Sequence, residues 1–563
     1  MDLIPASSTT SSPLDECQSR CYPQRHLFRR SREARLQEDI QSFFERSDHR
    51  QALPSFDEAA GTRRSCLIAV ILGATLALVC MTLAVYVLVT EGAMFLSLRL
   101  AILEQEILSL SLNLVLTFCI DGMMFVHSVS LRWALYYENR LQYNTNIRLL
   151  TSSRTSGPNR WYINMASLFF LILSYGTSSI MLPADPWENN WFSGPRICLN
   201  AIALSGLSVA LAGQATIALW CLMLGRDLIP TWGSNPFNTA LAAMEKGHIT
   251  RRPGRCLLSV HQRYHQQDRK VYPTLKQGNM LQAQPVVRYI LALVWALAVL
   301  ALAWPITVMI LCRALDDDDC WRFSFQWQGA VHCDKNFVNL NFRVSQGFVE
   351  YFGVKIMWFT ISLLGLVFVC GVQALQTLGL HCVELLVNIS RDEAAWRRAY
   401  SETRRQAPGL QISTDPLRAA ILSWENAVLF FSKALLHWAI AQGMPISISK
   451  TLPDIPSEHP VGVDCVQFTI IYPRLFLYAV LALLLAAFAT YLALKRPRGC
   501  QPATMGHLQT IADLIDDWET DEKGRMWWGD KTGASGTDTG SRYAGMSHDS
   551  TLLSAIRTDA VYC

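Results

Sequence analysis

Eight long apolar runs alternate with polar, charge-bearing segments along this chain. They are Cys66–Thr90, Leu108–Val129, Trp161–Leu182, Ile197–Leu224, Val287–Cys312, Val354–Leu378, Ala419–Met444 and Val466–Leu494. A bilayer core is about 30 Å thick, so a helix crossing it needs roughly 20 mostly apolar residues. In lipid every backbone amide must be bonded within its own segment, which makes helices the expected conformation of these runs. None has the period-two alternation of a barrel strand. The pattern therefore predicts an all-α fold: a polytopic transmembrane helix bundle of about eight spans, with disordered N- and C-terminal tails.

Charges between the runs set an expected threading, because lysine and arginine near span ends mark the cytoplasmic side. Arg29, Arg30, Arg32, Arg35, Arg63 and Arg64 precede the first run. Arg132, Arg140, Arg148, Arg154 and Arg160 follow the second, against the single acid Glu138. Further basic groups follow the fourth run (Arg226 to Lys276), the sixth (Arg391 to Arg405) and the last (Lys495 to Arg498). The intervening loops are acidic or near neutral, with Asp185 and Glu188, Asp316 to Asp319, and Asp454 to Asp464. Both termini are expected in the cytosol, in a membrane of the secretory pathway or the plasma membrane. The first run, following a polar, arginine-bearing stretch, reads as a signal-anchor rather than a cleaved peptide.

The expected organisation runs from a basic disordered tail (1–65) through spans 1–4 (66–224) to a basic cytosolic loop (225–285). Spans 5–8 (286–494) follow, with an exterior loop at 313–353 and a cytosolic loop at 379–418. A docking segment (495–531) and a disordered tail (532–563) rich in Gly, Ser, Thr and Asp complete the chain. Composition supports a membrane protein: 51% of residues are hydrophobic and only 17% charged, too apolar for an ordinary soluble chain of this length. The net charge of +4 is too small to argue for a nucleic-acid partner. In the exterior loop, Cys320 and Cys333 are disulfide candidates, since such a loop matures in an oxidising lumen. Cys198 and Cys465 form a second candidate pair near the same face.

Polar groups inside the runs are the candidate chemistry. Asn113, Thr117 and Asp121 are spaced i, i+4, i+8 and share one helix face, with His127 following. The seventh run carries Glu425, Asn426, Lys433 and His437, costly groups for a lipid-facing helix, so it reads as a span buried among neighbours or as a re-entrant hairpin. Asp121 and Lys433 are natural partners. Two readings stay open: a structural clamp between helices, or a proton or ion relay. In the fourth run, small residues at four-residue spacing, including Gly206 and Gly213, predict close helix packing. Pro305 predicts a kink in the fifth.

Other signals are weaker. The aspartate run 316–319 lacks the ligand spacing of a calcium loop, and His261 with His265 lacks the glutamate of H-E-x-x-H. No metal or cofactor is expected, and no P-loop, dinucleotide glycine pattern or nucleophile elbow is present. The expected lipid partners are the bilayer itself and anionic lipid at the cytosolic basic loops. Leu508, Ile511, Ala512, Ile515 and Trp518 make an apolar helical stripe facing away from Asp513, Asp516 and Asp517. That helix is expected to dock on the protein's own loops or on a cytosolic protein partner at 500–531.

Several segments carry a resemblance. Ile229-Pro-Thr-Trp-Gly-Ser-Asn-Pro236, Leu258-Ser-Val-His261, Gly506-His-Leu-Gln-Thr510 with Asp513-Leu-Ile-Asp516, Trp528-Gly-Asp-Lys531 and Ser130-Leu-Arg-Trp-Ala-Leu135 resemble pieces of uncharacterised fungal multi-pass integral membrane proteins. The resemblance covers the membrane region and the proximal C-terminal segment. It implies no established activity and no catalytic residues. The functional expectation is a non-enzymatic scaffold, sensor or regulatory membrane protein. A transporter or channel using Asp121 and Lys433 is the alternative, ahead of a membrane-embedded enzyme.

Overall fold

The computed structural model describes residues 55–90, 95–99, 102–182, 196–225, 228–262, 271–314, 337–343, 354–401, 407–413, 423–449, 465–534 and 542–562. In chain order the elements are α1 (Ala60–Thr90), β1 (Phe95–Arg99), α2 (Ile102–Tyr137), α3 (Trp161–Ser179), β2 (Arg196–Asn200) and α4 (Ala201–Leu222). Next come α5 (Pro236–Glu245), α6 (Met280–Ala283), α7 (Val286–Ala314), β3 (Phe337–Arg343), α8 (Val354–Arg397) and β4 (Leu410–Gln411). The chain continues through α9 (Trp424–Gly443), β5 (Ile446–Ser449), β6 (Cys465–Ile471), α10 (Tyr472–Leu494), α11 (Leu508–Leu514), β7 (Arg525–Asp530) and β8 (Ala544–Ser547).

Each apolar run contains a long helix, although the fourth and eighth open on strands β2 and β6, and six of these helices are long and apolar enough to cross a membrane: α1, α2, α4, α7, α8 and α10. The other two, α3 and α9, have 19 and 20 residues, about 30 Å at 1.5 Å per residue, but are more polar. Two apolar clusters fill the bundle. One joins α1–α4 to Leu366 and Val369 of α8, and the other joins α7, α8, α9 and α10. The small residues of α4 let it sit tightly against its neighbours. A Cβ at Gly206 would meet Thr177 of α3 at 2.7 Å, and Ser208 Oγ donates to the Ala77 carbonyl of α1 at 2.7 Å. Helix α7 runs through Pro305 without a break in its assignment.

Three features differ from the sequence expectation. The molecule is mostly helical but carries three small antiparallel sheets, ordered β1–β2, β3–β6–β5 and β4–β7–β8. They give backbone groups at the helix ends a place to bond, which an all-α reading did not provide. Second, α8 has 44 residues, about 66 Å, so the first half of the segment read as a 379–418 loop is helix. Leu380, Val383, Leu386, Val387 and Ile389 continue its buried stripe. Third, the segment read as a disordered tail at 532–563 is built where it is described: β8 pairs with β7, and Met546 and Tyr562 are fully buried. Among the cysteines whose side chains are described, none lies at disulfide distance from another, and the side chains of the candidate pair Cys198 and Cys465 are not among them. The candidates Cys320 and Cys333, the aspartate run, His265 and the tail 1–54 lie outside the described residues.

Beyond one end of the bundle, a third apolar cluster forms a compact layer. Phe237, Leu241 and Leu257 meet Trp396 of α8, Leu508, Ile511, Leu514, Trp518, Trp528, Met546 and Tyr562 there. Both ends of the described chain join this layer. Trp232 N–H donates to the Glu58 carbonyl at 3.1 Å, and Tyr562 exchanges backbone bonds with Val271 at 2.9 Å.

Candidate functional site

Helix periodicity brings the polar groups of the apolar runs together as far as one face allows. On α2, Asn113 Nδ2 donates to the Ser109 carbonyl at 2.9 Å and Thr117 Oγ1 to the Asn113 carbonyl at 2.7 Å. Ser178 Oγ of α3 donates to Asn113 Oδ1 at 3.3 Å. One turn further, Asp121 Oδ1 accepts from Lys433 Nζ of α9 at 2.7 Å, the partnership expected from the sequence. A second carboxylate, Glu384 of α8, accepts from the same ammonium at 3.3 Å. The Lys433 side chain is 3% exposed, whereas each of its carboxylates is 31% exposed. A buried ammonium is tolerated when good geometry offsets its desolvation, and two carboxylates from two different helices supply that here.

Glu384 extends the cluster toward the layer. His381 Nδ1 lies 3.1 Å from Glu384 Oε2 and 3.4 Å from Arg148 Nη2. Arg148 Nη1 donates to the Met124 carbonyl of α2 at 2.8 Å. The two acids Asp121 and Glu384 thus face the two cations Lys433 and Arg148, so the formal charge of the four groups balances. Against this end lies a cavity of about 20 Å³ lined by Arg148, His381, Glu384, Ser128, Asn146 and Asn388. One water needs roughly 10–15 Å³ by the same kind of measure, so this space suits one or two waters and no larger solute.

His437, one turn along from Lys433, stacks on Tyr175 with ring centroids 3.6 Å apart and an interplanar angle of 7°. Its Nδ1 lies 2.7 Å from Gln373 Oε1, and Gln373 Nε2 donates to Ser179 Oγ at 2.9 Å. Three candidates stand apart from the cluster. His127 Nε2 lies 3.3 Å from the Pro158 carbonyl. Glu425 accepts from Ser423 Oγ at 3.0 Å, and the Asn426 N–H donates to that same hydroxyl at 3.4 Å, so both belong to the capped start of α9. Glu384, His381 and Arg148 are the members that reading apolar runs missed. The signal for Glu384 and His381 was the amphipathic continuation past Leu378, which reads as helix once its own period is followed; Arg148, in the segment between α2 and α3, carried no such signal.

The layer is tied to the bundle by the end of α8. Glu393 Oε2 accepts from the Thr504 and Met505 N–H groups at 2.9 Å each, and from Thr504 Oγ1 at 3.2 Å. Trp396 Nε1 donates to the Pro502 carbonyl at 2.6 Å, and Arg397 Nη1 to that of Gln501 at 2.8 Å. The stripe of α11 docks on this protein's own loops. Its acids are paired rather than solvated: Asp513 with Arg252 at 2.6 Å, Asp516 with Lys531 at 2.7 Å. Asp517, Glu519 and His548 bring ligand atoms within 4.8 Å of one another, but the last two are exposed and Lys531 stands 3.9 Å from Asp517.

A loop at the layer's edge carries one strongly perturbed group. Burial works to raise the pKa of Glu138. The Ser153 hydroxyl at 2.6 Å, the Thr155 N–H at 2.9 Å, Arg140 and the Arg154 N–H outweigh it and hold the carboxyl down at about 2.

Comparison with known proteins supplies no relative: no family model matches the chain, and neither a curated protein nor a solved structure is found to be similar to it.

Proposed function

We propose that this chain is a non-enzymatic scaffold or regulatory membrane protein with eight crossings and with its layer in the cytosol. In this reading the Asp121–Lys433–Glu384 cluster is a clamp that holds α2, α8 and α9 together. The observation that carries it is the closed geometry of the cluster: a nearly unexposed ammonium held by two carboxylates, beside a cavity sized for water. The charge rule favours the layer's side as cytosolic, and the return of both ends of the described chain to the layer suits an even number of spans, six or eight alike.

The test is reconstitution into proteoliposomes followed by proton and alkali-cation flux. A clamp gives flux no greater than protein-free vesicles, while Asp121→Asn lowers thermal stability or abundance. Flux that Asp121→Asn abolishes, in a variant still inserted and folded, overturns the clamp in favour of transport. The partial exposure of Asp121 and Glu384 is the observation that favours that second reading.

A further inference from the structure

The segments that join the layer to α7 and α10 are basic and carry no acid at all. Residues 271–289 contain Lys276 and Arg288, residues 494–509 contain Lys495, Arg496 and Arg498, and neither stretch includes Asp or Glu. All five cations are exposed. By contrast, the more conspicuous basic positions Arg251 and Arg252 are engaged within the protein, by the Tyr543 hydroxyl and by Asp513. Among the described residues, charge on the first set has no ion-pair partner, where charge on the second is used internally.

The two stretches lie side by side. Lys276 pairs with Arg498 in an antiparallel bridge, and Gln277 Nε2 donates to the Gly499 carbonyl at 3.4 Å. Helices α7 and α10 pack against each other just inside this point, where Trp295 Nε1 donates to Thr490 Oγ1 at 2.9 Å. Three exposed aromatic residues, Tyr289, Trp295 and Tyr491, encircle these helix ends. Aromatic side chains of this kind settle at the headgroup level of a bilayer, so they mark its height. Tyr272 and Leu275, 60% and 57% exposed, lie in the loop that ends at Lys276. Apolar tips beside unpaired cations suit a surface that is anionic outside and hydrocarbon within.

We propose that the loop at 272–276, with Arg288 and residues 495–498, is a binding surface for anionic phospholipid headgroups, with Tyr272 and Leu275 inserted among them. This rests on the reading of the bundle as membrane-embedded. Each cation near an anionic surface favours binding by about five-fold. Replacing three should therefore reduce the preference for anionic over zwitterionic lipid by roughly 100-fold if their effects multiply.

The full chain is incorporated into nanodiscs of phosphatidylcholine containing spin-labelled phosphatidylserine or spin-labelled phosphatidylcholine, and the motionally restricted fraction of each is compared. The wild type should enrich phosphatidylserine, and the enrichment should fall as salt shortens the screening length from about 10 Å at 0.1 M to about 3 Å at 1 M. Lys276→Gln/Arg496→Gln/Arg498→Gln should lose it, while Lys246→Gln/Lys523→Gln/Arg557→Gln, exposed positions elsewhere, should keep it. Equal retention of both lipids by the wild type, or enrichment unaffected by salt, overturns the proposal even if the first variant fails to fold. Failure of the chain to enter nanodiscs at all would instead sink the membrane reading on which it rests.

Discussion

Glu393 is the sharpest single lever on the layer, because one carboxylate satisfies a whole turn of the C-terminal segment. Oε2 receives two backbone N–H groups and a hydroxyl, while Oε1 receives Arg397 Nε at 2.7 Å. In Glu393→Gln only one oxygen remains. Turning the new amide nitrogen toward Arg397 sets donors against donors, and turning it the other way opposes the N–H groups of Thr504 and Met505. The first orientation breaks the Arg397 bond and leaves the three bonds from Thr504 and Met505 on an uncharged oxygen, while the second breaks those three; either way, bonds to a charged acceptor are lost. Each contributes about 1.5–3 kcal/mol, and some relaxation is expected, so a local loss of about 3 kcal/mol is reasonable. At 1.4 kcal/mol per tenfold change, amide exchange at residues 504 and 505 should speed up about 100-fold. Hydrogen–deuterium exchange on the intact protein reads this directly, with α4 as an internal control that should not change. Exchange at 503–506 within threefold of wild type would refute the assignment of Glu393 as the tether.

Other outcomes follow from the same geometry. Gly506 has φ +71°, and a Cβ there would meet Asp392 Oδ2 at 2.8 Å; Gly506→Ala should cost about 1–3 kcal/mol, seen as loss of protection at 500–514. Lys433→Met leaves two carboxylates facing each other without their cation and should lower stability by about 3–5 kcal/mol, measured by thermal unfolding in detergent. Adding Asp121→Asn and Glu384→Gln to it should recover much of that loss, and no recovery would argue against the clamp. Glu138 is held at about 2 against an ordinary value near 4.5. Its contribution is therefore complete above about 4.5 and is lost as pH falls toward about 2. Exchange at 153–156 should rise across that window, and Glu138→Gln should remove the pH dependence.

Legibility followed the range of the interactions. Helix positions were readable because lipid forces local backbone bonding and the apolar runs report it directly. Asp121 and Lys433 were readable as partners because each is costly alone in a span and each offers the other's opposite charge. Glu384 escaped because it lies beyond the sixth apolar run, where hydropathy falls and the amphipathic period takes over as the helix signal. The C-terminal segment escaped for a different reason. Its few anchors, Met526, Trp528, Met546 and Tyr562, are separated by Gly, Ser and Asp, too sparse to build a core of their own. They are buried because α5, the end of α8 and the 256–258 loop already present an apolar surface, an asset supplied by distant residues that composition cannot report.

That dependence makes the layer and the bundle one mechanical unit. The Asn144 N–H donates to the Gly506 carbonyl at 2.9 Å, and its side chain donates to Asp392 Oδ2 at 3.0 Å. Four residues later, Arg148 enters the intramembrane cluster. A perturbation that frees the segment from Glu393 therefore acts first on residues 142–144, which bond both His507 and Leu508, and next on the loop that carries Arg148. If the clamp and the tether are coupled in this way, Glu393→Gln and Lys433→Met should not be independent. Their combined stability loss should fall short of the two single losses added together, because a bundle already loosened at Lys433 has less to lose when the segment detaches. Strict additivity, within about 0.5 kcal/mol, would separate the two devices.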